Sequence, residues 1–126
     1  MPSEDTLNRF IARVAQNAHA EAIEEFYAEG GSMRENLGPP RTGRDALVAH
    51  ERAVLARVRS VATTWVPPAL VSGDIVVIRW IFQFEWLDGS STRMEELAYQ
   101  RWNGEQIAEE QFFYDPAQLA PLRAAR

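Results

Sequence analysis

The sequence contains no cysteine and no lysine. Without cysteine there is no disulfide framework, no thiolate nucleophile and no Cys-based metal site; a cytoplasmic protein is the expectation. All 13 basic residues are arginines, spread along the chain against 18 acidic residues, for a formal charge of −5. Nucleic acid binders need clustered basic residues for phosphate contacts, so a nucleic acid partner is not expected. No apolar run approaches the roughly 18 residues that span a bilayer, and Met1-Pro2-Ser3-Glu4-Asp5 is acidic and does not read as a signal peptide. There is no internal repeat, no phosphate-cradling glycine loop, no dinucleotide fingerprint and no serine nucleophile motif. The two histidines, His19 and His50, match no zinc or iron spacing. Neither a metal nor a cofactor is therefore expected.

What is present suits one domain over residues 1–126, with 46% hydrophobic residues available for a core. Leu7, Phe10, Ile11, Val14 and Ala18 recur at helical spacing and predict a helix over 6–18, capped by Ser3 or Asp5. A second helix is predicted over 20–28, ended by Gly30-Gly31. Residues 32–37 read as a short strand. Gly38-Pro39-Pro40 forces a loop in which either X-Pro bond is a candidate for cis. A third helix is predicted over 44–59, with Thr42 and Asp45 resembling a capping box.

After Ser60 the pattern changes to strands. Val61–Val71 is β-branched and interrupted by Pro67-Pro68, as at a bulge or an edge. Ile75–Leu87 is a long strand closed by an Asp88-Gly89 turn, Thr92–Trp102 is its partner, Asn103-Gly104 marks the next hairpin, and Gln106–Tyr114 is the last strand. The tail from Ala117 to Arg126 reads as a loose helical turn. Helices followed by long antiparallel strands make an α+β fold. Alternation places Trp80, Phe82, Phe84 and Trp86 on one face of a strand and Arg79, Ile81, Gln83 and Glu85 on the other. Four aromatics on one face require a cover, either the helices or a second subunit.

Four stretches, in this order and spacing, carry a resemblance: Phe26-Tyr27-Ala28-Glu29, Pro39-Pro40-Arg41-Thr42-Gly43-Arg44, Gln100-Arg101-Trp102-Asn103-Gly104 and Phe112-Phe113-Tyr114-Asp115-Pro116. The chain resembles the nuclear transport factor 2-like superfamily, within it the SnoaL-like and ketosteroid isomerase-like proteins. The resemblance implies a cone-shaped curved antiparallel sheet packed against N-terminal helices around a pocket. It also implies a homodimer and a small-molecule ligand. In ketosteroid isomerases the general base is an Asp whose matching position here is Glu35. The two oxyanion donors of those enzymes fall at Ile11 and Ala98, so both are missing. A late Asp of SnoaL-type cyclases falls at Phe112.

Matching strands to the family turns Arg79, Ile81, Gln83 and Glu85 toward the pocket, with Glu96, Ala98 and Gln100, and with Glu110, Phe112 and Tyr114. Trp80, Phe82, Phe84 and Trp86 then face outward as a dimer interface, whose core aromatic residues would suit. Glu35, Glu96 and Glu110 in one apolar-walled cavity would repel each other and resist ionisation, as general acid–base work near neutral pH requires. Arg79 would neutralise one carboxylate or hold an anionic substrate; alternatively, Arg79 and the glutamates form a buried network that only satisfies itself. Tyr114 would donate its phenol to a substrate oxygen, or bond to backbone; His50 would be a pocket base, or a structural histidine. The catalytic candidates are thus Glu35, Glu110 and Tyr114, with Arg79, Gln83, Glu96, Phe112 and His50 contacting substrate. The expected activity is a cofactor-independent isomerisation, cyclisation or dehydration; the alternative is a non-catalytic ligand carrier or protein–protein interaction module.

Overall fold

The computed structural model of the chain describes residues 1–120 and, for the backbone, residues 122–123. Helix α1, Glu4–Ala15, buries Leu7, Phe10, Ile11 and Val14 along one stripe, and the Ser3 hydroxyl caps it by accepting from the Thr6 N–H. Asn17, at φ 68°, turns the chain into α2, His19–Phe26. The chain passes straight into β1, Tyr27–Glu35, because Tyr27 is already extended, so both boundaries lie before the expected ones. After β2, Arg41–Thr42, helix α3 runs Arg44–Leu55. The expected Thr42–Asp45 capping box does not form: Thr42 is committed to pairing with Ser32, and the N-cap is Gly43 at φ 101°, with no side-chain cap.

The remaining strands are β3, Val58–Ser72; β4, Ile75–Trp86; β5, Ser90–Asn103; and β6, Gln106–Phe113. A single 3-10 turn, Pro116–Leu119, stands where a looser helical tail was expected, and a two-residue strand, β7, Leu122–Arg123, pairs with β5; the rest of that tail, residue 121 and residues 124–126, lies outside the described residues. The curved sheet runs β2-β1-β6-β5-β4-β3. It is mixed and not purely antiparallel, because β1 pairs parallel to β6. Strand β3 lies at the edge, and its register shifts between Val66 and Leu70, at the prolines, which lack ladder N–H groups. The cis bond is Pro67-Pro68, not one in the Gly38-Pro39-Pro40 loop.

One register decides the interior. A two-residue turn at Asp88-Gly89 would pair Leu87 with Ser90 and put Arg79, Ile81 and Gln83 on the same face as Glu96. The loop instead has three residues, Leu87, Asp88 and Gly89, with Gly89 at φ 86° donating its N–H to Trp86. The shift of one moves every β4 side chain to the opposite face. Trp80 therefore lies opposite Glu96, Phe82 opposite Met94 and Phe84 opposite Thr92. This corrects the expected facing: Trp80, Phe82, Phe84 and Trp86 point inward under the helices and are not an outward dimer surface, whereas Arg79 is exposed on the outer face of the sheet.

The helices close the inner face. Phe10 packs edge-to-face against Phe26 and Trp102, at 5.4 and 5.8 Å between ring centres. Leu47 and Val48 of α3 and Val76 and Ile78 of β4 join the same core. The register of β1 slips between Tyr27 and Ser32, and Gly31 sits in that irregularity. A Cβ on Gly31 would meet the Ala28 carbonyl oxygen at 2.9 Å, a Tyr27 ring carbon at 3.1 Å and the Ile107 carbonyl oxygen at 3.2 Å. Two of those atoms are backbone and cannot swing away. Gly31→Val is expected to destabilise the fold by about 1–3 kcal/mol, read as a lowered urea midpoint with an unchanged slope.

Candidate functional site

The cone encloses a cavity of about 450 Å³ between the inner face of the sheet and the three helices. One wall is the row Trp80, Phe82, Phe84 and Trp86, stacked along β4 with ring centres 6.0, 6.1 and 5.3 Å apart. The Arg57 guanidinium covers the outer end of this row, 5.5 Å from the Trp86 ring centre. Phe10, Val14, Ala22 and Ile23 supply an apolar wall from α1 and α2. Into this lining project Glu35, Glu51, Glu96 and Glu110, each from a different element.

Glu96 lies opposite Trp80 on the inner face of β5. Burial pushes its carboxyl up from 4.5 to about 8, and Glu110, Glu35 and Glu51 add repulsion. Among the described residues it has no hydrogen-bond or ion-pair partner. Glu110 is also raised by burial, but two donors pull the other way. Its Oε2 accepts from Gln100 Nε2 at 2.6 Å and its Oε1 accepts from the Tyr27 hydroxyl. Gln100 in turn accepts from the Trp102 indole N–H at 2.9 Å. All four side chains of this chain are buried.

Glu35 stands nearer the solvent, with half its side chain exposed and Arg41 3.8 Å away. Tyr114 lies against it, its phenol pushed up to about 12 by burial and by the Glu35 charge. Phe112 lines the cavity. Three expected substrate contacts are not there. Arg79 and Gln83 face outward for the register reason above, Gln83 donating to Glu85 at 3.2 Å. His50 is exposed on α3, and its neighbour Glu51 takes the inward position instead. Helical spacing from buried Leu47 through 51 to 54 marks Glu51 as inward, a signal legible in the sequence.

His19 is more than a helix-boundary residue. It is 8% exposed, its Nε2 lies 2.8 Å from the Thr63 hydroxyl oxygen and its ring packs edge-on to Phe82 at 5.2 Å. Glu51 lies 3.7 Å from its Nδ1. No local pattern announces His19, because the contacts come from β3 and β4. Arg41 and Arg57 were likewise missed, as loop-flanking residues without a periodic signature. Among the described residues no group of His, Asp and Glu side chains is arranged to hold a metal, and no helix is long and apolar enough to cross a membrane.

A family model for the SnoaL-like domain matches residues 7–110. The chain belongs to the SnoaL-like family. No curated protein is similar enough to match. Among solved structures, a hypothetical protein from Catenulispora acidiphila with a ketosteroid isomerase-like fold, in complex with trimethylamine, is 19% identical with a TM-score of 0.75, covering 92% of this chain and 89% of its own. A Mesorhizobium loti protein likened to SnoaL-like polyketide cyclases is 22% identical at a TM-score of 0.73, over 87% of this chain and 97% of its own. TerC, co-crystallised with polyporic acid, is 11% identical at a TM-score of 0.74, over 91% and 92%. At these identities the likeness shows the α+β cone fold of the nuclear transport factor 2-like superfamily and leaves the chemistry to the residues.

The Glu96 carboxyl predicts a pH-dependent stability. Its protonated form is favoured in the folded chain, so the folded state binds more protons than the unfolded one between about 4.5 and 8. Stability is then greatest below that window and falls as pH rises through it, by an amount on the order of 5 kcal/mol at 1.36 kcal/mol per pKa unit. Urea melts from pH 5 to 8.5 should show this decline in the wild type and a much flatter profile in Glu96→Gln; parallel profiles would exclude Glu96 as its source.

Proposed function

We propose that this SnoaL-like protein binds a compact, largely apolar organic molecule in its cone and moves a proton on it, with Glu96 as the acid–base group. The observation that carries this reading is the Glu96 carboxyl itself: inside an apolar-walled cavity, without a partner among the described residues, and brought to about 8 by burial. A group that titrates near the working pH exchanges protons in both directions with the least loss of driving force. The cavity volume suits a small organic ligand. That related cones hold trimethylamine or polyporic acid is in keeping with such an occupant. Glu35, the base that the family resemblance implies, stands beside Arg41 and Tyr114 at the more open side, where these three groups would orient the polar end of the ligand. Isomerisation, cyclisation and dehydration next to a carbonyl all require such a proton transfer.

The test uses proton exchange and needs no knowledge of the natural substrate. A panel of cyclic ketones and 1,3-diketones in D2O is followed by NMR for deuterium uptake next to the carbonyl. The wild type should accelerate uptake for at least one compound, with a rate that rises with pH to a plateau above about 8 as Glu96 loses its proton. Glu96→Gln should lose about 10²- to 10⁴-fold while binding, read by quenching of Trp80 and Trp86 fluorescence, stays within a few-fold. Compounds that bind without any exchange would place the protein among ligand carriers and sink the enzymatic reading.

We also propose that two copies pair through the outer face of the sheet. Leu97, Tyr99 and Phe113 are exposed there, 46, 42 and 41%, and Ile81 lies between strands on the same side. Leu97 pairs across the ladder with Phe113 on one flank and Arg79 on the other, so these side chains form one continuous patch. The family resemblance supports a dimer, and this apolar patch offers the surface. Sedimentation equilibrium should give a dimer for the wild type and a monomer for Leu97→Glu; a wild-type monomer at micromolar concentration would refute the pairing.

A further inference from the structure

Trp80 and Glu96 are direct partners across β4 and β5, and both line the cavity. Residues directly opposite in an antiparallel pair have Cβ atoms about 4.5–5.5 Å apart. The inward-facing pairs on either side of them are Ile78 with Ala98 and Phe82 with Met94, all apolar. An indole N–H and a carboxyl thus stand side by side in an otherwise apolar stretch of the ladder. Phe82 stacks on Trp80, with ring centres 6.0 Å apart and planes 29° from parallel, and holds the indole in place.

Among the described residues neither group has a hydrogen-bond partner, although Trp80 is only 1% exposed. The other tryptophans differ. The Trp86 N–H donates to Thr92 Oγ1 at 2.8 Å, and the Trp102 N–H donates to Gln100 Oε1 at 2.9 Å. The Trp65 N–H has no partner either, but it is sealed in the interior and Trp65 does not line the cavity. The remaining donors of the cavity wall are engaged or stand elsewhere. The Tyr27 hydroxyl donates to Glu110, His19 Nε2 lies against the Thr63 hydroxyl, and Arg41 and Tyr114 stand with Glu35. Buried polar groups are normally hydrogen-bonded. An N–H left open on a cavity wall is satisfied by a ligand atom that accepts.

We propose that Trp80 and Glu96 together take one carbonyl group: the Trp80 N–H donates to its oxygen, and the Glu96 carboxylate removes a proton from the carbon beside it. In that step the C–H bond breaks and an O–H bond forms on Glu96, while the electron pair moves onto the carbonyl oxygen. The indole keeps its own proton and stabilises the enolate oxygen by donating to it. Return of the proton from Glu96 to the same or another carbon restores the carboxylate, with no further reactant. An indole N–H donates and cannot accept, and the neighbouring pairs are apolar, so the substrate class is an apolar ketone with hydrogen on the carbon next to the carbonyl. Trp80 is then a catalytic residue; this role rests on the acid–base reading of Glu96.

The probe is 2-decalone, an apolar bicyclic ketone, set against decalin, the same skeleton without the oxygen. In ¹H–¹⁵N NMR spectra with the indole signals of the four tryptophans assigned, 2-decalone should move the Trp80 signal downfield and decalin should not. Trp80→Phe keeps an aromatic ring and removes the donor. By calorimetry it should bind 2-decalone about 2- to 12-fold more weakly than the wild type, a greater loss than decalin shows. Its kcat for deuterium exchange next to the carbonyl should fall about 10²- to 10³-fold, well beyond the change in affinity. If Trp80→Phe does not fold, the wild-type indole signal decides. A Trp80 signal that 2-decalone leaves in place at millimolar concentration, whether or not the ketone binds, overturns the proposal. A downfield shift without deuterium exchange supports the hydrogen bond from Trp80 and overturns the proton transfer by Glu96, so the two failures are distinguishable.

Discussion

Trp80 and Glu96 face each other across the β4–β5 pair, and the rest of the pocket depends on that pairing. It sets a carboxyl against an aromatic wall, where burial disfavours the ionised form. It also commits the whole aromatic row of β4 to the interior, so that the helices cover those rings and the outer face is left with Leu97, Tyr99 and Phe113. The pairing is enforced by a single extra residue in the loop Leu87–Gly89, with Gly89 in the left-handed region that a side chain would resist. A local backbone choice thus decides which side chains a ligand meets.

The four carboxyls of the cavity stand in three different settings. Glu110 is deep, ligated by neutral donors whose orientation is fixed by an indole. Glu35 lies 3.8 Å from the Arg41 guanidinium and Glu51 lies 3.7 Å from the His19 ring nitrogen. Glu96 has neither arrangement, and its proton takes the place of a partner. Buried polar groups are normally satisfied, so the group left over in a cavity is the one available to a ligand. Such a site lowers the stability of the folded chain at neutral pH, as functional sites commonly do.

Much of the fold was legible in the sequence. The helical stripes of α1, the long strands, the hairpin at Asn103-Gly104 and the resemblance spread over four short stretches led to the α+β cone, and the family match bears that out. Glu96, Glu110, Phe112 and Glu35 were placed at the pocket, and they line it. Arg79 and Gln83 were misplaced because the family match turned their face of β4 toward the pocket, whereas the three-residue loop Leu87–Gly89 sets the opposite parity for every pair beyond. His50 was placed near the buried face of α3 by its spacing from Leu47 and Val54, whereas the position one residue later is the inward one. His19 was undervalued because its partners Thr63 and Phe82 lie more than forty residues on, on β3 and β4.

The sequence by itself determined the elements, their order, the absence of cysteine chemistry and the supply of glutamates and aromatics, because composition and periodicity are local properties. Only the tertiary structure decided which face of β4 looks inward, that Trp102, Gln100 and Tyr27 converge on Glu110, and that Glu96 is left without a partner. Those outcomes depend on register across strands and on hydrogen bonds between residues as far apart as 27 and 110. Desolvation, the force that sets the Glu96 carboxyl apart, is a property of the assembled cavity and belongs to no stretch of the chain alone.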